Sequence, residues 1–201
     1  PGLDVCRCHR GTRTMDYRVC NISDSSQLKE NAAAMLHSTF EKMGISGWPT
    51  YKSAAIEVDE CIQDPNIAIG LEVDGMLVGW IGIRPMYEKV WELHPLVVQI
   101  QSQKKGHGLR LVREIEIVAK KKGLTGLVLG TDDDNFRTSL SQTELTKQNI
   151  FSEIMNIKNT NNHPFEFYEK CGYAIVGAIP NAGGTNKPDI WMWKNLESSK
   201  G

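Results

Sequence analysis

Two apolar runs, IAIGLEV (67–73) and MLVGWIGI (76–83), are separated only by Asp74-Gly75. This spacing restricts the fold more than any other local feature of the chain. Asp-Gly suits the left-handed central positions of a type I′ turn, whose twist matches that of paired strands, so residues 67–83 are expected to form a tight antiparallel hairpin. Upstream, DYRVCNI (16–22) alternates as a strand, and Asp24-Ser25-Ser26 supplies N-cap candidates for a helix. In that helix Leu28, Ala32, Met35, Leu36 and Phe40 recur at helical spacing. Gly44, Gly47 and Pro49 interrupt the chain around Trp48, and a second helix is expected over about 50–63.

Downstream of the hairpin, WELHPLVVQI (91–100) reads as a strand. Its Pro95 has no N–H to give a neighbouring strand, so it marks an edge, a bulge or a point where strands part. QKKGHG (103–108) and an amphipathic helix (about 108–122) come next, then a buried strand TGLVLGT (125–131) ending in Asp132-Asp133-Asp134. Residues 139–157 are expected to be helical, opened by the capping-box spacing Ser141-x-x-Glu144. A short helix over 163–173 is stopped by Gly172. Strands 174–179 and 189–196 close the chain. The order β-α-α-β-β-β-α-β-α-α-β-β fits a single α/β domain with a mixed sheet.

Composition narrows the function classes. The first fourteen of the 201 residues, PGLDVCRCHRGTRT, lack hydrophobic periodicity and an apolar signal segment, and read as an unstructured leader before a domain spanning 15–201. A zinc site on Cys6, Cys8 and His9 would need a fourth ligand and a different spacing, and no metal is expected. Without the leader, 20 Lys and Arg face 23 Asp and Glu, a net charge of −3 that argues against nucleic acid as the partner. No apolar run approaches the roughly 20 residues of a membrane span. Cys20, Cys61 and Cys171 are scattered, which suggests reduced thiols in a cytoplasmic protein.

Glycines just before a helix let backbone N–H groups converge without Cβ obstruction, and the helix N-terminus adds partial positive charge. QKKGHG is therefore suited to a pyrophosphate, yet it is neither a Walker A loop nor GxGxxG, and a plain basic turn explains it equally well. The surrounding order separates the two. Q-x-x-G-x-G after a proline-bearing strand and before a helix resembles the acetyl-CoA loop of the GCN5-related N-acetyltransferase (GNAT) superfamily. FYEKCGY (167–173) resembles that superfamily's Y-x-K-x-G-[FY] segment. WELHPLVV (91–98), GTDD (130–133), TSLSQTEL (138–145), HPFEFYEKCGY (163–173) and PNAGGTNKPDIWMWK (180–194) are together similar to the aminoglycoside 6'-N-acetyltransferases, most to the small chromosomal-type subgroup.

That resemblance implies a GNAT fold, with the mixed sheet splayed between its fourth and fifth strands and flanked by helices. It also implies acetyl transfer from acetyl-CoA to an aminoglycoside 6'-amine in a ternary complex, antibiotic resistance, and a homodimer. Glu92 takes the place of a carboxylate beside the reactive amine, with binding and base roles. The Leu96 N–H is the candidate to polarise the thioester oxygen, and Val97 and Val98 lie where pantetheine pairs. Gln103, Lys104, Lys105, Gly106, His107, Gly108 and Leu109 form the coenzyme loop. Within it Gln103 anchors, Gly106 and Gly108 allow close approach, and the His107 side chain is a spectator. Tyr168 matches the tyrosine near the coenzyme sulfur.

For a polycationic substrate, Asp132 and Asp134 are clamp candidates, with Asn135 standing where the subgroup tends to carry a carboxylate. Trp48, with Tyr51, Glu57, Asp59 and Glu60, is read as an aromatic and acidic wall, to which Trp80 and Tyr87 are equally assignable as core or contact. His94 is read as alternating away from Glu92 and structural, and Cys171 as buried filling. The alternative reading is a GNAT enzyme acting on another amine, such as a polyamine or a protein lysine or N-terminus.

Overall fold

The computed structural model describes residues 16–45 and 47–197; the leader reading for 1–14, and with it Cys6, Cys8 and His9, lies outside them. The chain forms two compact units, the first ending at Lys122 and the second beginning at Gly123. Its class is mixed α/β.

The first unit contains β1 (Tyr17–Asn21), α1 (Ser26–Lys42), α2 (Tyr51–Cys61), β2 (Ile67–Val73), β3 (Met76–Pro85), β4 (Val90–Val98) and α3 (His107–Lys121). Its strands pair antiparallel in the order β1-β2-β3-β4. The hairpin turn is the expected one, with Asp74 and Gly75 at φ of 50° and 78°. Ser25 caps α1 by accepting from the Leu28 N–H at 3.1 Å, and Thr50 and Ser53 cap α2 reciprocally.

Helices cover both faces of this sheet. Trp80 of β3 is fully buried against α1 and donates its indole N–H to the Ala32 carbonyl at 3.2 Å. This settles Trp80 as core and removes it from any substrate wall. Leu36, Ala54, Val58 and Val97 belong to the same cluster. On the opposite face, a Cβ at Gly79 would lie 2.9 Å from Leu111 of α3, so the missing side chain lets α3 settle onto β3. The 15-residue α3 buries Leu111, Val112, Ile115 and Ala119 at helical spacing.

Pro95 marks a bulge. Ile81 pairs with Leu96 and Ile83 with Leu93, so His94 and Pro95 both lie opposite Gly82. The extra residue changes which side chains share a face. Before it, Glu92 and His94 face the α1–α2 layer; beyond it, Val97 takes that face, packing with Trp80, and Leu96 turns to the other. β4 ends at Val98, two residues before the end of the strand expected over 91–100, and residues 100–102 form a 3-10 turn. Replacing Gly82 with Ala puts a Cβ 2.5 Å from the His94 carbonyl oxygen. Gly82→Ala is expected to lower unfolding stability by about 2–4 kcal/mol in chemical denaturation; a loss below about 1 kcal/mol would mean that β4 relaxes freely at the bulge.

The second unit holds β5 (Gly126–Asp132), α4 (Ile150–Met155), α5 (Phe165–Lys170), β6 (Ala174–Ile179) and β7 (Asp189–Asn195). β7 pairs antiparallel with β5 on one side and β6 on the other. The single helical stretch expected over 139–157 is instead a 3-10 turn, Ser139–Gln142, and the short α4. Thr138 caps the turn in place of Ser141, and the Asn149 side chain accepts from the Thr146 N–H and hydroxyl, closing a local turn that competes with helix. α5 ends as expected, with Gly172 at φ 89°.

Candidate active site

In the first unit, the half-buried positions of β4 carry a polar cluster. Glu92 lies directly opposite Arg84 of β3, and Arg84 Nε–H donates to Glu92 Oε2 at 2.7 Å. Burial alone would lower the Arg84 pKa, but the hydrogen bond and charge of Glu92, with the charge of Glu57, outweigh it and leave it raised. His94, two residues along the strand, shares the face of Glu92. This corrects the sequence reading, because a strand alternates with period two.

His94 Nε2 lies 3.1 Å from Glu57 Oε1 of α2, and Glu57 Oε2 accepts from the Trp48 indole N–H at 3.0 Å. Cys61 Sγ–H points at Glu57 Oε1 at 3.4 Å. Trp48 is held further by an edge contact with Phe40, at 4.7 Å between ring centroids, and its carbonyl lies 3.0 Å from His37 Nδ1. Trp48 and Glu57 thus form one network with His94 rather than an independent wall, whereas Tyr51, Asp59, Glu60 and Tyr87 are exposed. The His94 hydrogen bond, with smaller contributions from Trp48 and Cys61, pulls the Glu57 pKa down from 4.5 to about 2 against the opposing effect of burial.

The QKKGHG segment divides by function. Gln103 donates its side-chain N–H to the Val98 carbonyl at 3.0 Å, stapling the loop to the end of β4. Gly106 is the N-cap of α3 at φ 86°, a conformation that a Cβ disfavours. The first intrahelical bond runs from the Arg110 N–H to the Gly106 carbonyl at 3.0 Å, so the N–H groups of His107, Gly108 and Leu109 point out of the helix end. Lys104, Lys105 and Gly106 are exposed. This arrangement fits a pyrophosphate: directed N–H groups, helix dipole and two ammonium groups beside a backbone without a side chain. The His107 ring is buried against Tyr17, at 5.9 Å between centroids. Burial, and then the charges of Lys105 and Arg110, lower its pKa. His107 therefore offers the loop its backbone alone.

In the second unit, the three aspartates separate. Asp133 is fully buried, and its carboxylate accepts from the backbone N–H groups of Arg137 and Thr138 and from the Thr138 hydroxyl at 2.7 Å. It shapes the loop and cannot meet a substrate. Asp132 and Asn135 are exposed and Asp134 is half-buried, its carboxylate so close to Gly183 that a side chain there would collide with it. His163 opens α5: its Nδ1 accepts from the Phe165 N–H at 3.2 Å, which assigns the ring proton to Nε2, 3.1 Å from the Asp132 carbonyl. Tyr168, half-buried, stacks edgewise on Phe167 and Tyr173. Burial raises its pKa, so the phenol keeps its proton at neutral pH. Cys171 is buried and unbridged, in keeping with the reading of it as filling.

Arg84 and the structural roles of Asp133 and His163 were missed in the sequence. Arg84 became visible only once the β3–β4 register was known; for Asp133, position within the acidic run gave no signal of burial.

The comparisons agree with this architecture. Residues 33–138 match the acetyltransferase (GNAT) family. An aminoglycoside 6'-N-acetyltransferase solved in complex with coenzyme A superposes with a TM-score of 0.81 at 37% identity, covering 91% of this chain and 99% of its own. The aminoglycoside 6'-N-acetyltransferase from Enterococcus faecium gives 0.81 at 38% identity with the same coverages. Aminoglycoside 6'-acetyltransferase type Ii gives 0.67 at 33%, covering 90% and 97%. No curated protein sequence matches the chain. The chain belongs to the GNAT acetyltransferase family. It is an acetyltransferase that uses acetyl-CoA.

The Glu57 network makes a stability prediction. A carboxylate with a depressed pKa stabilises the fold fully above its ordinary value of 4.5 and loses that contribution as pH falls toward 2. Glu57→Gln is expected to cost about 1–3 kcal/mol at pH 7. The gap from the wild type should narrow below pH 4.5 in denaturant titrations; a pH-independent gap would mean that charge does not matter there.

Proposed function

We propose that this enzyme transfers the acetyl group of acetyl-CoA to the 6'-amine of aminoglycosides by direct attack in a ternary complex, conferring resistance. The observation that carries the reading is 37–38% identity to two aminoglycoside 6'-N-acetyltransferases across 91% of the chain. The residues support it chemically. The aminoglycoside amines are cationic, and Glu92, half-buried on the face of β4 toward the α1–α2 layer, is a carboxylate suited to receive one and orient it. The neutral amine nitrogen attacks the thioester carbon; the C–N bond forms, the C–S bond breaks with its electron pair leaving on sulfur, and the amine's surplus proton passes to water. The Leu96 N–H, first after the prolyl bulge, is the donor proposed for the carbonyl oxygen. Val97 and Val98 present strand backbone to pantetheine. Gln103 to Leu109 hold the pyrophosphate.

Tyr168 is assigned to the departing sulfur. Its pKa lies above the ordinary 10.0, whereas a free thiol titrates near 8.5, so full proton transfer to a thiolate runs uphill. The phenol donates a hydrogen bond that orients and stabilises the sulfur, and the proton comes finally from water. Asp132 and Asp134, with Asn135 as a neutral contact, are proposed to bind the remaining ammonium groups, and Trp48 to contact a sugar ring. No described helix is long and apolar enough to cross a membrane; a cytoplasmic homodimer is part of the proposal.

Thiol release from acetyl-CoA, followed with aminoglycosides bearing or lacking a free 6'-amine, tests the reading. Turnover confined to 6'-amino compounds is expected; activity only on polyamines or peptide amines would replace the substrate class. Glu92→Gln should raise the aminoglycoside KM or lower kcat at least tenfold, with the acetyl-CoA KM within about twofold of wild type.

A further inference from the structure

The carboxylate assigned to the substrate amine already has a cation. Arg84 and Glu92 are cross-strand partners, so the backbone register itself brings the guanidinium to the carboxylate. The contact uses Arg84 Nε and Glu92 Oε2 at 2.7 Å, and the Glu92 side chain is only 18% exposed. The groups around the pair are Glu57 and Cys61 from α2 and His94 from β4; from α1, His37 reaches the Trp48 carbonyl. Glu57 does not relieve Glu92, since its Oε1 meets His94 and Cys61 and its Oε2 meets the Trp48 indole.

We infer that Arg84 is a positioning and specificity-determining residue: by neutralising and orienting Glu92 through one oxygen, it makes the substrate ammonium share that carboxylate instead of owning it. The inference rests on the reading of Glu92 as the amine-binding carboxylate. Its chemical consequence is specific. A lone, half-buried carboxylate binds an ammonium tightly and stabilises the protonated form, which cannot attack a thioester. A carboxylate already bonded to a guanidinium still accepts an N–H at its other oxygen but stabilises the positive charge less. The bound ammonium then releases its proton to water at lower pH, and more of the complex holds the reactive neutral amine. Arg84 weakens binding and favours chemistry, which raises KM and kcat together. Substrates whose reacting nitrogen is a weak base gain least from the device, so Arg84 also biases the enzyme toward strongly basic primary amines.

The test is steady-state kinetics of full-length Arg84→Met, Arg84→Gln and Arg84→Lys from pH 6 to 9. Removing the guanidinium should lower the aminoglycoside KM several-fold and lower kcat at pH 7 by about tenfold, moving the ascending limb of the kcat profile about one pH unit upward. Arg84→Lys should restore most of kcat, and the acetyl-CoA KM should stay unchanged throughout. A merely structural role would move stability or both KM values without shifting the limb. An unmoved limb, or a kcat loss with a raised aminoglycoside KM, overturns the inference. If Arg84→Met fails to fold, Arg84→Gln and Arg84→Lys decide by the same criterion. Glu92→Gln run in parallel separates the two failures: if it leaves aminoglycoside kinetics intact, the reading of Glu92 fails; if it impairs them while the Arg84 variants do not shift the limb, only the role of Arg84 fails.

Discussion

The bulge at Gly82 decides which side of the sheet each side chain of β4 takes. Two residues, His94 and Pro95, are accommodated opposite one, and only a residue without a Cβ can lie under the His94 carbonyl. A regular strand would give one face to every second residue along its whole length. Here the slip gives Glu92 and His94 to the helical layer at one end, and lets Val97 enter the same core as Trp80 at the other. A single strand can therefore carry a polar cluster and a packed core on one side without burying an unpaired charge.

That polar cluster is held by pairing. Each oxygen of Glu57 has a donor, which is why a carboxylate can sit half-buried between α2 and β4 at all. The network also ties the Trp48 segment to the strand bearing Glu92, so the aromatic residue read as a substrate contact is positioned by the same carboxylate that orients His94. Arg84 applies the same logic to Glu92, with the difference that its partner is the group assigned to the substrate.

Burial sorts residues that the sequence presents as equivalents. Asp132, Asp133 and Asp134 are one acidic run, yet Asp133 faces inward, where three donors of its own loop satisfy it. QKKGHG presents His107 between two glycines, but the first residue of α3 points its ring toward Tyr17 while the flanking backbone stays open. His163, legible only as a helix start, joins the end of β5 to α5 through both ring nitrogens, with α5 carrying Tyr168.

The sequence by itself determined the hairpin, the cap of α1, the amphipathic α3, the glycines before it and the acetyltransferase motifs. These depend on local backbone preference, side-chain periodicity or contiguous residues, all of which the linear order contains. It misjudged 139–157, where Thr138 and Asn149 offered the backbone hydrogen bonds that compete with helix. It also misjudged the face of His94. The partnership of Arg84 with Glu92, the closure of Glu57 around His94 and Trp48, and the inward turn of Asp133 were decided by tertiary structure alone. Each depends on the register between strands or on which polar group loses water, and neither quantity exists until the chain has packed.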